Sequence, residues 1–92
     1  AKFSAVSDQF KYKFRIKNGL QISQLDKNGK FAKSGLKEGF VILKINNITI
    51  VNQEDIERAY NEAMNNEANE KVLFITGIYN NGQVAYYAVN LE

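Results

Sequence analysis

One segment of the sequence combines residue types that could bind nucleic acid. In Phe10–Lys17, aromatic or apolar residues alternate with Lys or Arg without a break. Aromatic faces beside cations are what proteins use to hold single-stranded nucleic acid. The same period of two is typical of a half-buried β-strand. Because the net charge is only +2, a polyanion partner is not favoured. We interpret the segment as a strand or connector whose aromatic residues pack inward, with nucleic-acid binding as the alternative.

Two shorter motifs match the spelling of known sites but lack the residues that complete them. Ser34–Lys37 has the S-x-x-K spacing of some acyl-transfer enzymes, without their partner motifs. The segment that starts at Asp26 opens like a calcium loop. Phe31 and Lys37, however, stand where that loop requires Gly and Glu. We therefore predict no catalytic residue, no metal site and no cofactor.

The composition excludes several classes of protein. Since the chain has neither Cys nor His, it cannot form a disulfide, a thiolate metal site or a His-dependent catalytic triad by itself. No apolar run approaches the roughly 20 residues that span a bilayer, so we expect no membrane insertion. The length of 92 residues predicts one domain over residues 1–92. Its direct start on a strand-like segment suggests a fragment of a longer protein.

Hydrophobic patterning predicts a mixed α+β domain. Asn52, followed by Glu54 and Asp55, indicates the start of a long helix, because acidic residues favour the first turn. Asn81-Gly82 between two apolar runs predicts a type I′ hairpin turn. We expect a small, partly open β-sandwich or barrel of five to six strands, capped by one short and one long helix. In chain order the predicted elements are a strand at 2–7, a strand within 18–25, a short helix within 26–39, a strand pair within 40–50, the long helix within 53–66 and a hairpin at 71–91.

Several segments, taken together in their order and spacing, resemble a PDZ domain of the HtrA/Deg (Do-like) serine proteases, most like a C-terminal (second) PDZ domain. Phe40 stands where such domains usually have Asp, and Asn47 where they usually have Gly. The closing hairpin, residues 72–91, is also similar to theirs. The segments that carry the resemblance are Gly19–Ile22, Ala32–Leu36, Gly39–Asn47 and Glu54–Ile56.

The resemblance implies a PDZ-like fold that binds peptides. In PDZ domains the C-terminus of a partner adds as an extra strand between an edge strand and the long helix, and a loop holds its carboxylate. By order along the chain, Lys2–Ala5 would match that loop and Ser4–Ser7 the peptide-facing strand. The candidate peptide-binding residues are therefore Lys2, Phe3, Ser4, Ala5, Val6 and Ser7 on the loop and edge strand, with Gln53, Glu57 and Tyr60 on the helix.

The resemblance also implies a non-catalytic role. The chain would be a regulatory module of a periplasmic or cell-envelope serine protease whose catalytic triad lies outside this sequence. Its expected partners are peptide C-termini or unfolded segments, together with neighbouring protease or PDZ domains, and not nucleic acid. We expect an affinity no tighter than micromolar, about −8 kcal/mol. The main alternative is a degenerate PDZ domain that packs against neighbouring domains without binding a ligand. An autonomous enzyme that uses carboxylates is disfavoured, since the sequence indicates no pair of acids that share a cleft.

Overall fold

An open antiparallel sheet organises the domain. The structure, a computed structural model, describes residues 1–65 and 71–91, and the strands within those ranges run in the order β1-β2-β3-β5-β6, with β4 paired to β3. The predicted α+β class with five to six strands is confirmed. The elements are β1 (Lys2–Ala5), α1 (Asp8–Phe14), β2 (Leu20–Gln24), α2 (Lys30–Lys33), β3 (Val41–Ile45), β4 (Ile48–Thr49), α3 (Gln53–Met64), β5 (Val72–Ile78) and β6 (Val84–Asn90).

Apolar side chains cover both faces of the central strand β3. Val41 and Ile42, adjacent residues of β3, are both fully buried, although successive side chains of a strand point to opposite faces. Ile42 belongs to the main core, which α2 and α3 cover. Val41 belongs to a second cluster with Val6 and Ile78, which α1 covers. Burial on both faces explains why this strand is a continuous apolar run instead of an alternating one.

The long helix α3 starts with a capping box. The Oδ1 atom of Asn52 accepts a hydrogen bond from the backbone N–H of Asp55 at 3.1 Å. In return, Oδ2 of Asp55 accepts from the N–H groups of Val51 at 2.8 Å and Asn52 at 3.2 Å. These bonds, first that from Val51, together with Arg58 at 3.4 Å, hold the pKa of Asp55 below its ordinary value. The helix buries one stripe, formed by Ile56, Ala59 and Ala63.

Residues 8–14 form a helix, so the interpretation of Phe10–Lys17 as a strand is wrong. The described part of the domain therefore has three helices, where the sequence predicts one short and one long helix. The hydroxyl of Ser7 caps α1 by accepting from the N–H of Phe10 at 3.1 Å. Phe10 and Phe14, one turn apart, pack against the second cluster with ring centroids 4.7 Å apart. Tyr12, on the outer side, is 89% exposed. These residues therefore do not form the row of stacking faces that a strand would present.

The turn between β3 and β4 uses two Asn residues in the left-handed conformation. Asn46 has φ 48° and Asn47 has φ 70°, a combination that Asn tolerates better than most residues. The side chain of Asn46 fixes this turn to β5. Its Nδ2 donates to the carbonyl of Val72 at 3.1 Å, and its Oδ1 accepts from the N–H of Phe74 at 2.8 Å. Asn47 thus adopts a conformation that usually favours Gly.

The turn between β5 and β6 is not the type I′ turn that the sequence predicts. In this turn Gly82 has a positive φ of 87°, whereas Asn81 does not have a positive φ. The N–H of Gly82 bonds to the carbonyl of Tyr79 at 2.9 Å, and the N–H of Tyr79 bonds to the carbonyl of Gln83 at 2.9 Å. This is a three-residue loop, in which a tight turn is followed by a left-handed Gly.

Phe40 anchors an aromatic cluster in the main core. It is fully buried, with its ring centroid 4.7 Å from that of Tyr79 and 5.3 Å from that of Tyr87. The two Tyr hydroxyls are 2.6 Å apart. Burial and then this hydrogen bond raise the pKa of Tyr79 to about 12. Gly77 is required beside the cluster, because a Cβ there would overlap the ring of Phe40 and the carbonyl oxygen of Val41.

Candidate functional site

A cavity of about 540 Å³ lies between β1 and α3, on the side of the main core. Phe3 lines it from β1, and Glu57 and Tyr60 line it from α3. Ile56 and Leu73, both nearly inaccessible to solvent, contribute apolar surface from the core. The volume is in the range of pockets that hold small ligands or single side chains of a partner. The cavity therefore offers an apolar recess beside one edge of the sheet.

The strand that borders this cavity is at an edge of the sheet. Among the strands of residues 1–65 and 71–91, β1 pairs with β2 alone. Its register runs from Lys2 opposite Gln24 to Ala5 opposite Leu20, with an irregularity after Lys2. An edge strand directs alternate N–H and C=O groups away from its neighbour, where another chain can pair with them. The edge of β1 is thus a potential site for an added strand.

Local hydrogen bonds hold the segment after β2 at the rim of the cavity. The N–H of Leu25 donates to Oε2 of Glu38 at 3.0 Å. Asp26 closes a tight turn, since its Oδ1 accepts from the N–H of Asn28 at 3.0 Å and its carbonyl accepts from the N–H of Gly29 at 2.9 Å. The turn leads into α2, where the ring of Phe31 meets the ring of Phe3 edge to face, with centroids 6.5 Å apart. The rim and β1 are therefore joined by an aromatic contact.

The cavity combines an apolar lining with charged groups. Lys30 supplies a cation, and Asp26 and Glu57 supply carboxylates; all three side chains are exposed. Within residues 1–65 and 71–91, no group of three or more Asp and Glu is placed to hold a metal ion. Such a site suits non-covalent recognition of an apolar side chain, and the charged groups at its rim can select for the charge of the ligand.

Three of the predicted site residues meet at this cavity: Phe3, Glu57 and Tyr60. Tyr60 is 44% exposed, so part of this residue remains accessible beside the recess. Lys2, Ser4 and Ala5 lie on β1 with exposed side chains. The role of these residues in peptide binding stays a prediction.

The remaining predicted residues lie elsewhere. Val6 is buried in the second cluster beneath α1, and Ser7 caps α1. Gln53 is the first residue of α3 and does not line the cavity. The strand predicted at 2–7 is confirmed for Lys2–Ala5, which form β1 and pair with β2. A strand there differs from the carboxylate-holding loop that the resemblance implies for these residues. Ser7 likewise lies beyond the end of that strand.

Sequence analysis missed the apolar residues that shape the recess. Leu25 falls in the predicted strand within 18–25, Phe31 in the predicted short helix within 26–39, and Leu73 and Leu91 in the predicted hairpin at 71–91. In the structure all four line the cavity. Apolar patterning identifies residues that face inward, but it does not show whether neighbouring elements fill the space between them. No signal in the sequence distinguishes these residues from fully packed core.

Comparison of the chain with protein-family models found no match, and comparison with the curated proteins found none. The resemblance to PDZ domains therefore rests on the sequence segments. In the described part of the chain, none of the helices has the length and apolar character needed to cross a membrane.

Proposed function

We propose that this domain is a PDZ-like module that binds an extended peptide by β-augmentation along β1. The observation that carries the proposal is the apolar cavity of about 540 Å³ beside the edge strand β1 and the helix α3. A guest strand paired with β1 presents alternate side chains to the cavity. The open antiparallel sheet and the order of its helices and strands are compatible with a PDZ-type fold.

Main-chain pairing provides affinity that depends little on sequence. Each backbone hydrogen bond contributes about 0.5–1.5 kcal/mol net, and one buried apolar side chain contributes about 1.5–3 kcal/mol. Ordering the peptide and losing its free motion offset several kcal/mol of this gain. Because β1 has four residues, it offers few such bonds. We therefore expect micromolar binding at best, about −8 kcal/mol.

Ligands of this site include chain termini and unfolded internal segments. Since Lys2–Ala5 form a strand, they do not supply the loop of backbone amides with which PDZ domains hold a carboxylate. Lys30 is a cavity-lining cation available to a terminal carboxylate. Main-chain pairing and the apolar recess bind both kinds of ligand, and the contact with Lys30 makes binding of a free C-terminus modestly tighter.

In its wider setting we propose a non-catalytic, regulatory domain of a Do-like serine protease of the cell envelope. This part of the proposal is supported by the four sequence segments that resemble such domains, residues 19–22, 32–36, 39–47 and 54–56. The domain would present chain ends or unfolded segments to the protease, or report their presence to it. In the competing role, a packing module, the same surface would meet a neighbouring domain and bind no peptide.

Fluorescence anisotropy with a labelled peptide library tests the proposal. The library varies the last residue, and each peptide is prepared with a free and with an amidated C-terminus. We expect micromolar binding of peptides with an apolar residue, about tenfold weaker binding for Tyr60→Ala, and a smaller loss on amidation or for Lys30→Gln. Tyr86→Ala is the matched control, because Tyr86 is an exposed Tyr on β6. Absence of binding across the library at millimolar peptide would refute the proposal and leave the packing module.

A further inference from the structure

The strand β6 forms the other edge of the sheet and has no bulge, charge or Pro of the kind that often protects an edge. It pairs with β5 over seven consecutive residues without a bulge, and β5 is its sole partner among the described strands. Residues 72–91, which include both strands, contain no Asp, Glu, Lys, Arg or Pro. Natural edge strands are usually shortened, charged, interrupted by Pro or bulged, because a long uncharged edge pairs with other chains.

The edge strand β1, in contrast to β6, has features that protect an edge. It has four residues, carries Lys2 and has an irregular register with β2. These features limit uncontrolled pairing at β1 while leaving room for a short guest strand. Because β6 has none of them, its edge is suited to a permanent or frequent partner.

The outer face of β5 and β6 adds an apolar patch next to this edge. Phe74 is 62% exposed, Tyr86 is 74% exposed and Val84 is 49% exposed. The register places Thr76 opposite Tyr86 and Ala88 opposite Phe74, so the three side chains lie on one face. The helix α1 covers this face near Ile78 and also reaches the loop at Gly82, where the ring of Phe14 lies beside the glycine. We call the side chains of Phe74, Val84 and Tyr86 the outer patch.

We propose that β6 pairs with β6 of a second copy of this chain, antiparallel and around a twofold axis. An antiparallel pair of identical strands satisfies this symmetry, since each strand offers the other the same surface. The contact extends the sheet across the two copies and brings the two outer patches next to each other. Because β1 lies at the opposite end of the strand order, the pairing does not use the edge of β1.

A second copy brings no conflict of charge to this surface, and the outer patch supplies part of the contact area. With no charged residue in 72–91, self-pairing brings no like charges together. The patches lie side by side in this arrangement, so the exposed area of the outer patch, on the order of 350 Å² per copy since one aromatic side chain buries roughly 150–250 Å², is an upper limit for its contribution to the contact. A standard interface buries about 800 Å² per partner. The main chain and flanking side chains of a seven-residue edge strand contribute to the remainder.

Sedimentation equilibrium of the purified chain over a range of concentrations tests this proposal. We expect a reversible dimer whose dissociation constant is nearly unchanged between low and high salt, because the contact contains no ion pair. Tyr86→Lys and, independently, Phe74→Lys should weaken the dimer about tenfold or more. Tyr12→Lys is the matched control, since Tyr12 is an even more exposed Tyr, on α1, and it should leave the dimer intact. Circular dichroism of each variant checks that the domain is folded.

Hydrogen exchange adds a site-specific measurement. Amides of β6 should exchange more slowly as the protein concentration rises, whereas those of β1 should not change. A chain that stays monomeric at millimolar concentration would overturn the proposal. So would a dimer that Tyr86→Lys and Phe74→Lys leave unaffected, or one that high salt dissociates. Peptide binding at the cavity is measured separately, so failure here does not affect the proposed function.

Discussion

Replacing Phe40 with Ala should remove a large part of the stability of the domain. Phe40 is fully buried and its ring contacts Tyr79 and Tyr87, with centroids 4.7 Å and 5.3 Å away. Truncating a buried Phe to Ala costs about 3–5 kcal/mol, because transfer energy is lost and a cavity remains. A domain of this size has a total stability of about 5–15 kcal/mol. We therefore expect the variant to be folded only marginally.

Equilibrium unfolding in urea, followed by circular dichroism, measures this loss. Phe74→Ala is the matched control: the same substitution, made on the exposed outer patch, should cost less than about 1 kcal/mol. We expect the midpoint of Phe40→Ala to fall strongly while the dependence on urea concentration stays the same. A loss below about 2 kcal/mol for Phe40→Ala, or equal losses for both variants, would contradict the assignment of Phe40 to the centre of the core.

Two further predictions concern pH and helix capping. Because the pKa of Tyr79 is raised from 10.0 to about 12, the folded state retains its proton longer than the unfolded chain does. Its contribution to stability is complete below pH 10 and is lost as pH rises toward 12. Urea unfolding with Tyr79→Phe as the reference measures this loss of stability, and tyrosinate absorbance follows the titration itself. A Tyr79 that titrates at the ordinary pKa of tyrosine would refute the prediction. Asn52→Ala removes the acceptor that caps α3 and should cost about 1 kcal/mol. An unchanged melting temperature for that variant would show that the capping box contributes little.

Helix α1 shows why its strand interpretation failed. The alternation in Phe10–Lys17 has a period of two, but Phe10 and Phe14 are also spaced one helical turn apart. Ser7 followed by Asp8 is a helix start signal. The stability of a helix of seven residues depends on its cap and on tertiary packing more than on the helix propensity of its residues. Here packing of α1 on the second cluster stabilises the helix, and no local sequence pattern reveals that this cluster exists.

The parts that the sequence did predict depend on strong local signals. The long helix follows from Asn52 with acidic residues in its first turn. The predicted strand pair within 40–50 corresponds to β3 and β4, which turn at Asn46-Asn47. The hairpin at residues 79–83 was predicted, but its turn type was not. Its type depends on pairing between Tyr79 and Gln83, which fixes a three-residue loop. The cavity depends on how distant elements meet, so only Phe3, Glu57 and Tyr60 of its lining could be named in advance.

The most direct test of peptide capture at β1 is backbone amide NMR during titration with apolar-ended peptides. The proposal predicts shift changes confined to β1 and to the part of α3 around Glu57 and Tyr60, with slowed hydrogen exchange at β1 amides. Such slowing would report new main-chain hydrogen bonds along the edge. Binding that leaves β1 amides unchanged, or shift changes confined to other surfaces such as α1 or β6, would contradict β-augmentation at this site.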